Sequence, residues 1–278
     1  MKAVVWHGPA DLRVDEVDDP RIEEPTDAVI EVTSTAICGS DLHLYEILQA
    51  FMTEGDIMGH EPMGIVREVG SEVEHIAEGD RVVIPFNISC GNCWMCDQEL
   101  YAQCETTQNR EQEKGASLLG YTKLYGQVPG GQAEMLRVPQ AHFGPIKVPE
   151  GPPDDRFLYL SDVLPTSWQA VEFADAQSPN GEPTLAVFGL GPIGQMCGRI
   201  AKHKGQRVIA VDLVPERLAL AEKHGIETVN LEDHDEISDV IREMTNGRGA
   251  DATIDAVGME AHGAPVGEFA QKAAGLLP

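Results

Sequence analysis

Four cysteines lie close together in the sequence with the spacing C-x2-C-x2-C-x7-C, and they are Cys90, Cys93, Cys96 and Cys104. Four thiolates at this spacing can enclose one tetrahedral zinc ion and leave no position open for a substrate. Such a closed site is structural, because it holds together a loop too small to build its own hydrophobic core. Two disulfides are the alternative, and a reducing compartment disfavours them.

A second, open metal site is indicated by Cys38 and by the pair His60 and Glu61. A thiolate and an imidazole, completed by one more protein group and a water molecule, form a catalytic zinc site. Each residue alone is weak support, since a single cysteine is more often a small buried hydrophobic residue. Beside the four-cysteine cluster, Cys38 and His60 together predict a second zinc ion.

A glycine-rich turn follows a short apolar run at residues 185–188 and precedes a helical stretch. The first glycine of a G-x-G-x-x-G turn allows the tight bend, the second admits a pyrophosphate, and the third lets helix and strand pack closely. The helix then directs the positive end of its dipole at the phosphates. The predicted dinucleotide-binding residues are Gly189, Leu190, Gly191, Pro192, Ile193 and Gly194.

Asp212 ends the next apolar run, where a carboxylate can accept hydrogen bonds from both ribose hydroxyls of a dinucleotide. The same charge would repel a 2′-phosphate, so NAD is favoured over NADP. A solvated aspartate at a strand end is the alternative. Arg217, on the following helix, is a candidate contact for the adenine end or a purely structural helix residue.

The elements that must position these residues differ between the two parts of the chain. Residues 1–150 contain short apolar or alternating runs punctuated by Gly, Pro and Asp, which predict a barrel-like β domain. Within it, residues 105–131 are polar and weakly patterned and are predicted to form a long loop. The predicted strands cover residues 4–6, 28–32, 64–69 and 79–85.

After about residue 155 the pattern changes to strands that alternate with helices, which predicts a parallel sheet. The expected strands are 185–188, 207–211 and 252–257, and the expected helices are 194–204, 215–224 and 235–246. The sequence therefore predicts a β domain at residues 1–155 and a doubly wound α/β domain at residues 156–278.

The charge balance excludes one class of partner. The 278 residues include 46 acidic and 20 basic side chains, for a formal net charge of −26. Such a surface repels nucleic-acid phosphates, and it fits either an ordinary acidic cytoplasmic enzyme or a protein adapted to high salt. No apolar run is long enough to span a bilayer and none resembles a signal peptide, so no membrane partner and a cytoplasmic location are expected.

Taken in order, the segments 38–43 and 59–61, the four-cysteine cluster and the glycine turn resemble the zinc-containing medium-chain dehydrogenase/reductase family. Segments 85–90, 130–134, 161–166 and 255–258 are similar to its glutathione-independent formaldehyde dehydrogenase branch. The resemblance implies an N-terminal GroES-like β-barrel catalytic domain with a structural-zinc lobe at about residues 88–106. A Rossmann dinucleotide-binding domain would follow it.

The resemblance also assigns roles at the catalytic zinc. It implies Cys38, His60 and Asp162 as ligands, with Glu61 as an alternate ligand or a partner of the ligands. Many relatives carry cysteine at the position of Asp162, and a helix N-cap or a solvent-facing carboxylate is the alternative for that residue. Zinc would activate an alcohol as a Lewis acid, and the alcohol carbon would then deliver hydride to the nicotinamide.

By the same resemblance, Ser40 takes the alcohol proton and passes it through the cofactor ribose to His43, unless both residues only cap their loop. Thr166 would assist positioning near the nicotinamide, and Val257 and Gly258 are candidate nicotinamide contacts. The implied substrate is a small alcohol or aldehyde. A polyol or threonine dehydrogenase of the same family is an alternative, and so is a catalytically silent zinc-stabilised binding protein.

Family members are usually longer than this chain. We therefore expect a Rossmann sheet that is incomplete at its C-terminal end, with about four of the usual six strands. The strands that usually pair in the dimer would be missing, which argues against the homo-oligomer that is usual in the family.

Overall fold

A computed structural model describes residues 1–46, 48–178 and 181–258. These residues fall into two compact units, one ending at Asp162 and the other beginning at Val163. No helix in the described part of the chain is long and apolar enough to cross a bilayer.

The first unit is built on a five-stranded antiparallel sheet with strand order β6-β3-β4-β5-β7, beside the antiparallel pair β1-β2. Alternate side chains of a strand point to the same face of the sheet. On the inner face of the larger sheet these side chains are apolar, and those of Ile30, Val66 and Leu136 are almost fully buried in the core. The strands are β1 (Lys2–Gly8), β2 (Asp11–Glu16), β3 (Ala28–Thr35), β4 (Pro62–Val69), β5 (Arg81–Val83), β6 (Met135–Val138) and β7 (Ile146–Lys147).

Helix α1 (Gly39–Glu46) follows β3, and the short helix α2 (Trp94–Asp97) lies within the four-cysteine segment. Residues 105–131 contain 3-10 turns at Arg110–Gln112 and Lys123–Tyr125 and isolated bridges such as Leu119↔Val128, but no helix or strand. The predicted long loop therefore has local order and contributes the fully buried Leu119 to the core of the unit.

The second unit is a parallel sheet of strand order β10-β9-β8-β11 with intervening helices. Its first strand in sequence, β8, lies inside the sheet, so the chain moves outward through β9 and β10 and then returns to β11 on the other side. A sheet of this order binds ligands at the carboxyl ends of its strands, where the direction reverses. The elements are α3 (Val163–Ala174), β8 (Thr184–Phe188), α4 (Pro192–His203), β9 (Arg207–Asp212), α5 (Pro215–Glu222), β10 (Glu227–Asn230), α6 (Ile237–Met244) and β11 (Ala252–Asp255).

The predicted fold class, a β domain followed by a Rossmann-type parallel sheet, is confirmed. The sheet contains four strands within the described residues. Seven elements of the structure were not among the predicted ones, namely α1, α2, α3, β2, β6, β7 and β10.

A partly buried ion pair joins the end of the first unit to its sheet. Arg81 is 8% exposed, its Nε lies 3.0 Å from Oδ1 of Asp154, and it also donates to the carbonyl of Pro152 at 2.8 Å. Thr33 and Ser34 donate to the other oxygen of Asp154 at 2.6 and 2.7 Å. Burial alone would raise the pKa of Asp154, but the donors outweigh it and lower that pKa.

Replacing this carboxylate should destabilise the first unit. We expect Asp154→Asn to lower the free energy of unfolding by about 1–3 kcal/mol at pH 7, because the amide cannot pair with the Arg81 guanidinium. A group whose folded pKa is depressed stabilises the protein above its unfolded pKa of about 3.9. The difference between wild type and variant should therefore shrink as the pH falls through the folded pKa. Urea unfolding across pH measures this, with Asp155→Asn as the exposed neighbouring control. Equal losses in both variants would contradict the assignment.

Candidate functional site

Four potential ligand atoms from separate parts of the first unit converge. They belong to Cys38, His60, Glu61 and Asp162, and all lie within 4.8 Å of one another. Cys38 lies in the loop between β3 and α1, His60 and Glu61 immediately precede β4, and Asp162 ends the unit. The sheet therefore brings together residues that are more than a hundred positions apart in sequence.

His60 presents a defined nitrogen to this group. The side chain is fully buried, and its Nδ1 lies 3.0 Å from Oδ1 of Asp41. Its Nε2 lies 3.2 Å from Oδ2 of Asp162 and 3.9 Å from Oε1 of Glu61. When Nδ1–H donates to Asp41, the lone pair of Nε2 faces the other ligand atoms, which is the arrangement found at histidines that bind metals.

The electrostatics of His60 and Glu61 fit a bound cation. Burial lowers the pKa of His60, but its hydrogen bonds to Asp162, Asp41 and Cys38 outweigh burial and raise it well above the usual value. Glu61 is 1% exposed, and neither of its carboxylate oxygens has a hydrogen-bond partner among the described residues. Burial raises the pKa of Glu61. A buried carboxylate without a hydrogen bond is costly. The attraction of His60 offsets only part of that cost, and a cation within the cluster would remove it. Sulfur, nitrogen and oxygen donors together suit zinc.

Asp41 is a site residue that was not predicted from the sequence. It is 4% exposed and lies on α1, where its Oδ2 accepts a hydrogen bond from the backbone N–H of Cys38 at 2.9 Å. Gln132 donates to the same oxygen at 3.3 Å. One carboxylate thus orients two of the four converging residues, Cys38 through its backbone and His60 through its ring. The signal in the sequence was its position three residues after Cys38.

Replacing Asp41 should loosen metal binding without unfolding the unit. We expect Asp41→Asn to reduce zinc affinity or activity by about 10- to 100-fold, because an amide offers a single acceptor oxygen to three donors. Zinc competition with a chromogenic chelator measures the affinity. Asp56→Asn is the control, because it alters a partly exposed loop carboxylate outside the cluster that accepts from the N–H of Thr53 and from Gln127. An unchanged zinc affinity in Asp41→Asn would refute the orienting role.

The four cysteine sulfurs form a second cluster, with ligand atoms also within 4.8 Å of one another. All six cysteines of the chain are free, so the two-disulfide alternative is not what the structure contains. Backbone N–H groups of Cys90 and Glu105 point at the sulfurs of Cys104 and Cys93, at 3.4 and 3.3 Å. For Cys93 burial raises the pKa, but N–H donors and neighbouring thiols outweigh it and lower the pKa to about 6. Donors of this kind stabilise thiolates, the form that binds zinc.

Ser40 and His43 both lie on α1, three residues apart. The Ser40 hydroxyl is 3.4 Å from Nε2 of His60 and accepts a hydrogen bond from the Tyr121 hydroxyl at 2.9 Å. The Tyr121 ring lies against the His60 ring, with centroids 4.9 Å apart. Burial raises the pKa of Tyr121, so the phenol keeps its proton. Tyr121 was also missed, because residues 105–131 carry no pattern that marks a site.

The glycine turn in the second unit has the shape that its sequence predicts. Gly189 has a φ of +84°, and Gly191 is the N-cap of α4, which begins at Pro192. A Cβ at Gly194 would lie 1.8 Å from the carbonyl oxygen of Gly189, so only glycine fits there. The turn and the start of the helix leave N–H groups available for an anion.

Asp212 closes this turn from the end of β9. Its Oδ2 accepts from the N–H of Leu190 at 2.5 Å, and its Oδ1 accepts from the N–H groups of Leu213 and Val214, both at 2.8 Å. Arg217 Nη1 lies 3.7 Å from the same carboxylate. These three bonds use three of the four lone pairs of the carboxylate, so one lone pair, on Oδ2, remains to accept from a ribose hydroxyl.

The other predicted cofactor contacts lie in the second unit as well. Val257 and Gly258 follow β11, and a Cβ on Gly189 would lie 2.9 Å from Val257 Cα, so the glycine turn and this segment are adjacent. Thr166 lies in the first turn of α3. Ile193, Pro192 and Gly194 begin α4.

Comparison with known proteins gives the family. Residues 24–150 match the alcohol dehydrogenase GroES-like domain, and residues 192–265 match the zinc-binding dehydrogenase family. The chain is 46% identical over 264 residues to an uncharacterized zinc-type alcohol dehydrogenase-like protein, AdhB, of Bacillus subtilis, with 94% of this chain and 68% of the relative covered. The chain belongs to the zinc-containing medium-chain dehydrogenase family.

Two further relatives agree with this assignment. A glutathione-independent formaldehyde dehydrogenase of Bacillus subtilis is 33% identical, with 94% of this chain and 67% of the relative covered. The solved alcohol dehydrogenase of Thermus sp. ATN1 superposes with a TM-score of 0.80 at 34% identity, with 92% of this chain and 70% of that chain covered. The chain thus spans about two thirds of the length of these medium-chain dehydrogenases. The predicted family and the predicted class, zinc-dependent alcohol oxidoreductases, are confirmed.

Proposed function

We propose that this medium-chain dehydrogenase oxidises a small alcohol, or reduces the corresponding aldehyde, with NAD as the hydride carrier. The observation that carries the proposal is the convergence of four ligand atoms, from Cys38, His60, Glu61 and Asp162. Among them the buried carboxylate of Glu61 has no hydrogen-bond partner within the described residues. A structural role alone does not account for such a carboxylate, since burying it costs free energy. A hydrolase or binding role is less well supported, because the second unit carries a dinucleotide-type glycine turn.

In this proposal Cys38, His60 and Asp162 hold a catalytic zinc ion, with Glu61 as the alternate ligand. A second zinc ion would be held by Cys90, Cys93, Cys96 and Cys104, whose sulfurs lie within 4.8 Å of one another. The catalytic ion, when bound, supplies Lewis acidity that lowers the pKa of an alcohol. Three protein ligands leave one position open for substrate, whereas four thiolates leave none. The two clusters therefore have different roles, one in catalysis and one in holding the lobe at residues 88–106.

The remaining residues either transfer the substrate proton or hold the ligands and the cofactor in place. Asp41 holds Cys38 and His60 in place. Ser40, whose hydroxyl adjoins Nε2 of His60, accepts the proton of the alcohol, and His43 on the same helix passes it toward water. Thr166 and the Val257–Gly258 segment are proposed to contact the nicotinamide.

The preference for NAD rests on Asp212. The carboxylate lies beside the glycine turn, held by three backbone N–H groups. It favours a ribose with free hydroxyls and opposes a 2′-phosphate. Arg217 is half exposed and 3.7 Å from Asp212, and we assign it to the adenosine end of the cofactor.

Metal analysis combined with cofactor-reduction assays tests the proposed function. We expect two zinc ions per chain by elemental mass spectrometry and growth of NADH absorbance with a panel of primary alcohols and hydrated aldehydes. Activity with NADP should be weaker. Faster turnover of polyols or threonine would move the protein to those branches of the family. Two zinc ions without turnover of any substrate, or without dinucleotide binding, would support a silent zinc-stabilised protein instead.

A further inference from the structure

The Tyr121 hydroxyl contacts the Ser40 hydroxyl, which lies beside the group of Cys38, His60, Glu61 and Asp162. The phenol donates to Ser40 Oγ at 2.9 Å, while Ser40 Oγ lies 3.4 Å from His60 Nε2. A serine hydroxyl has one hydrogen and two lone pairs, and its hydrogen rotates to suit its neighbours. A hydrogen bond that Ser40 Oγ accepts from Tyr121 therefore limits the directions in which its second lone pair and its own hydrogen can form bonds.

The backbone holds Tyr121 in this position. Gly120 has a φ of +62°, and a Cβ there would lie 2.3 Å from the carbonyl oxygen of Gly59, the residue before His60. The two backbone segments thus pack directly against each other. The N–H of Gly120 donates to the carbonyl of Val128 at 3.0 Å. This close approach sets the Tyr121 ring on the His60 ring at 4.9 Å between centroids.

The ring of Tyr121 is also fixed on its other sides. Tyr125 contacts it edge-on, with centroids 6.1 Å apart. Tyr121 packs against an apolar cluster that includes Trp6, Leu44 and Met58. Packing of this density permits few ring positions, so the phenolic oxygen is held at one distance from Ser40.

We infer that Tyr121 is a positioning residue that fixes the direction of the Ser40 hydroxyl for transfer of the substrate proton. Its donated hydrogen occupies one lone pair of Ser40 Oγ. One lone pair remains to accept the proton of an alcohol, while the hydrogen of Ser40 leaves toward His43, as in the proposed function. Ser40 gains one proton and loses one, so no net charge is left on it. This inference rests on the proposed function.

Removing the phenolic oxygen alone tests the inference. Tyr121→Phe keeps the ring and its packing, and we expect kcat for alcohol oxidation to fall about three- to tenfold, the contribution of one hydrogen bond, with KM nearly unchanged. Tyr125→Phe makes the same change on the adjoining ring and should leave kcat unchanged. Equal kcat in wild type and Tyr121→Phe would overturn the inference while leaving the proposed function intact.

A double-mutant cycle separates positioning from a general effect on the fold. If Tyr121 acts through Ser40, Tyr121→Phe should have no further effect on kcat once Ser40→Ala is present. Additive losses in the double variant would overturn the inference, since they would show that Tyr121 acts independently of Ser40.

A structural readout does not depend on turnover. In a crystal structure the Ser40 side chain should occupy a single rotamer in the wild type and more than one in Tyr121→Phe. A single unchanged rotamer in both would count against the positioning role. Should the wild type lack dehydrogenase activity, the proposed function fails, and the rotamers still decide whether Tyr121 orients Ser40.

Discussion

Replacing Cys38 with serine should abolish turnover and remove one of the two zinc ions that we propose. A serine hydroxyl keeps its proton near neutral pH and is a poor zinc ligand, whereas a thiolate is among the strongest. Without the ion, the several kcal/mol of charge stabilisation that a Lewis acid supplies are lost. We expect kcat/KM to fall by roughly a thousandfold or more. Stopped-flow or steady-state NADH absorbance gives the rate, and elemental mass spectrometry gives the zinc content.

The number of zinc ions that Cys38→Ser retains is a second test of this prediction. The four-cysteine cluster shares no ligand with the Cys38 cluster, so Cys38→Ser should retain one zinc ion per chain. Cys197→Ala is the matched control, because Cys197 is a fully buried thiol in the second unit and belongs to neither cluster. That variant should keep both zinc ions and its activity. Retained activity in Cys38→Ser, or loss of both ions, would contradict separate roles for the two clusters.

The parts of the site that could be predicted from sequence are those in which residue type and spacing alone limit the chemistry. The four cysteines lie within 15 positions, and the glycine turn occupies six, so neither depends on the distant fold. The same holds for β8, α4 and β9, whose apolar runs and turn residues are local signals. At Gly194 the requirement for glycine is local, because the atom that a Cβ would meet at 1.8 Å is the carbonyl oxygen of Gly189 in the same strand–turn–helix unit.

Other parts depended on contacts that the sequence does not display. Asp41 and Tyr121 gain their roles only when α1 and the segment near residue 120 lie beside His60. Asp162 came from family resemblance, since a single aspartate before a helix has no distinctive spacing. Strand β10 (Glu227–Asn230) was missed because Glu-Thr-Val-Asn has no apolar run, and it pairs only as the outermost strand of the described sheet. Helix α1 was missed because polar and apolar residues are not segregated on its faces.

Two glycines of the same turn should respond to the same substitution in different ways, one by losing stability and the other by losing cofactor affinity. In Gly194→Ala the new Cβ would lie 1.8 Å from the carbonyl oxygen of Gly189. The obstacle is backbone, so the strand and helix must separate. We expect the free energy of unfolding to fall by about 3 kcal/mol, as overpacking in a core does. Urea unfolding in the absence of dinucleotide measures this loss.

Gly191→Ala should leave the fold nearly unchanged. No heavy atom lies within 4 Å of a Cβ built there, and the residue has a φ of −65°, which alanine adopts readily. Exchange of glycine for alanine at an N-cap should cost under about 1 kcal/mol. The same empty space is where a pyrophosphate would approach the backbone, so we expect NADH affinity to fall by roughly tenfold or more. Fluorescence titration of NADH gives the dissociation constant.

The contrast between the two variants separates folding from cofactor recognition at a single turn. If the empty space beside Gly191 serves a dinucleotide, Gly191→Ala must lose affinity while its unfolding curve stays close to that of the wild type. Unchanged NADH affinity in Gly191→Ala would mean that the turn only joins β8 to α4. Loss of stability in Gly191→Ala comparable to that in Gly194→Ala would mean that the space is filled in the folded protein. In either case the dinucleotide would have to bind elsewhere in the second unit, and the assignment of Asp212 to the ribose would fail with it.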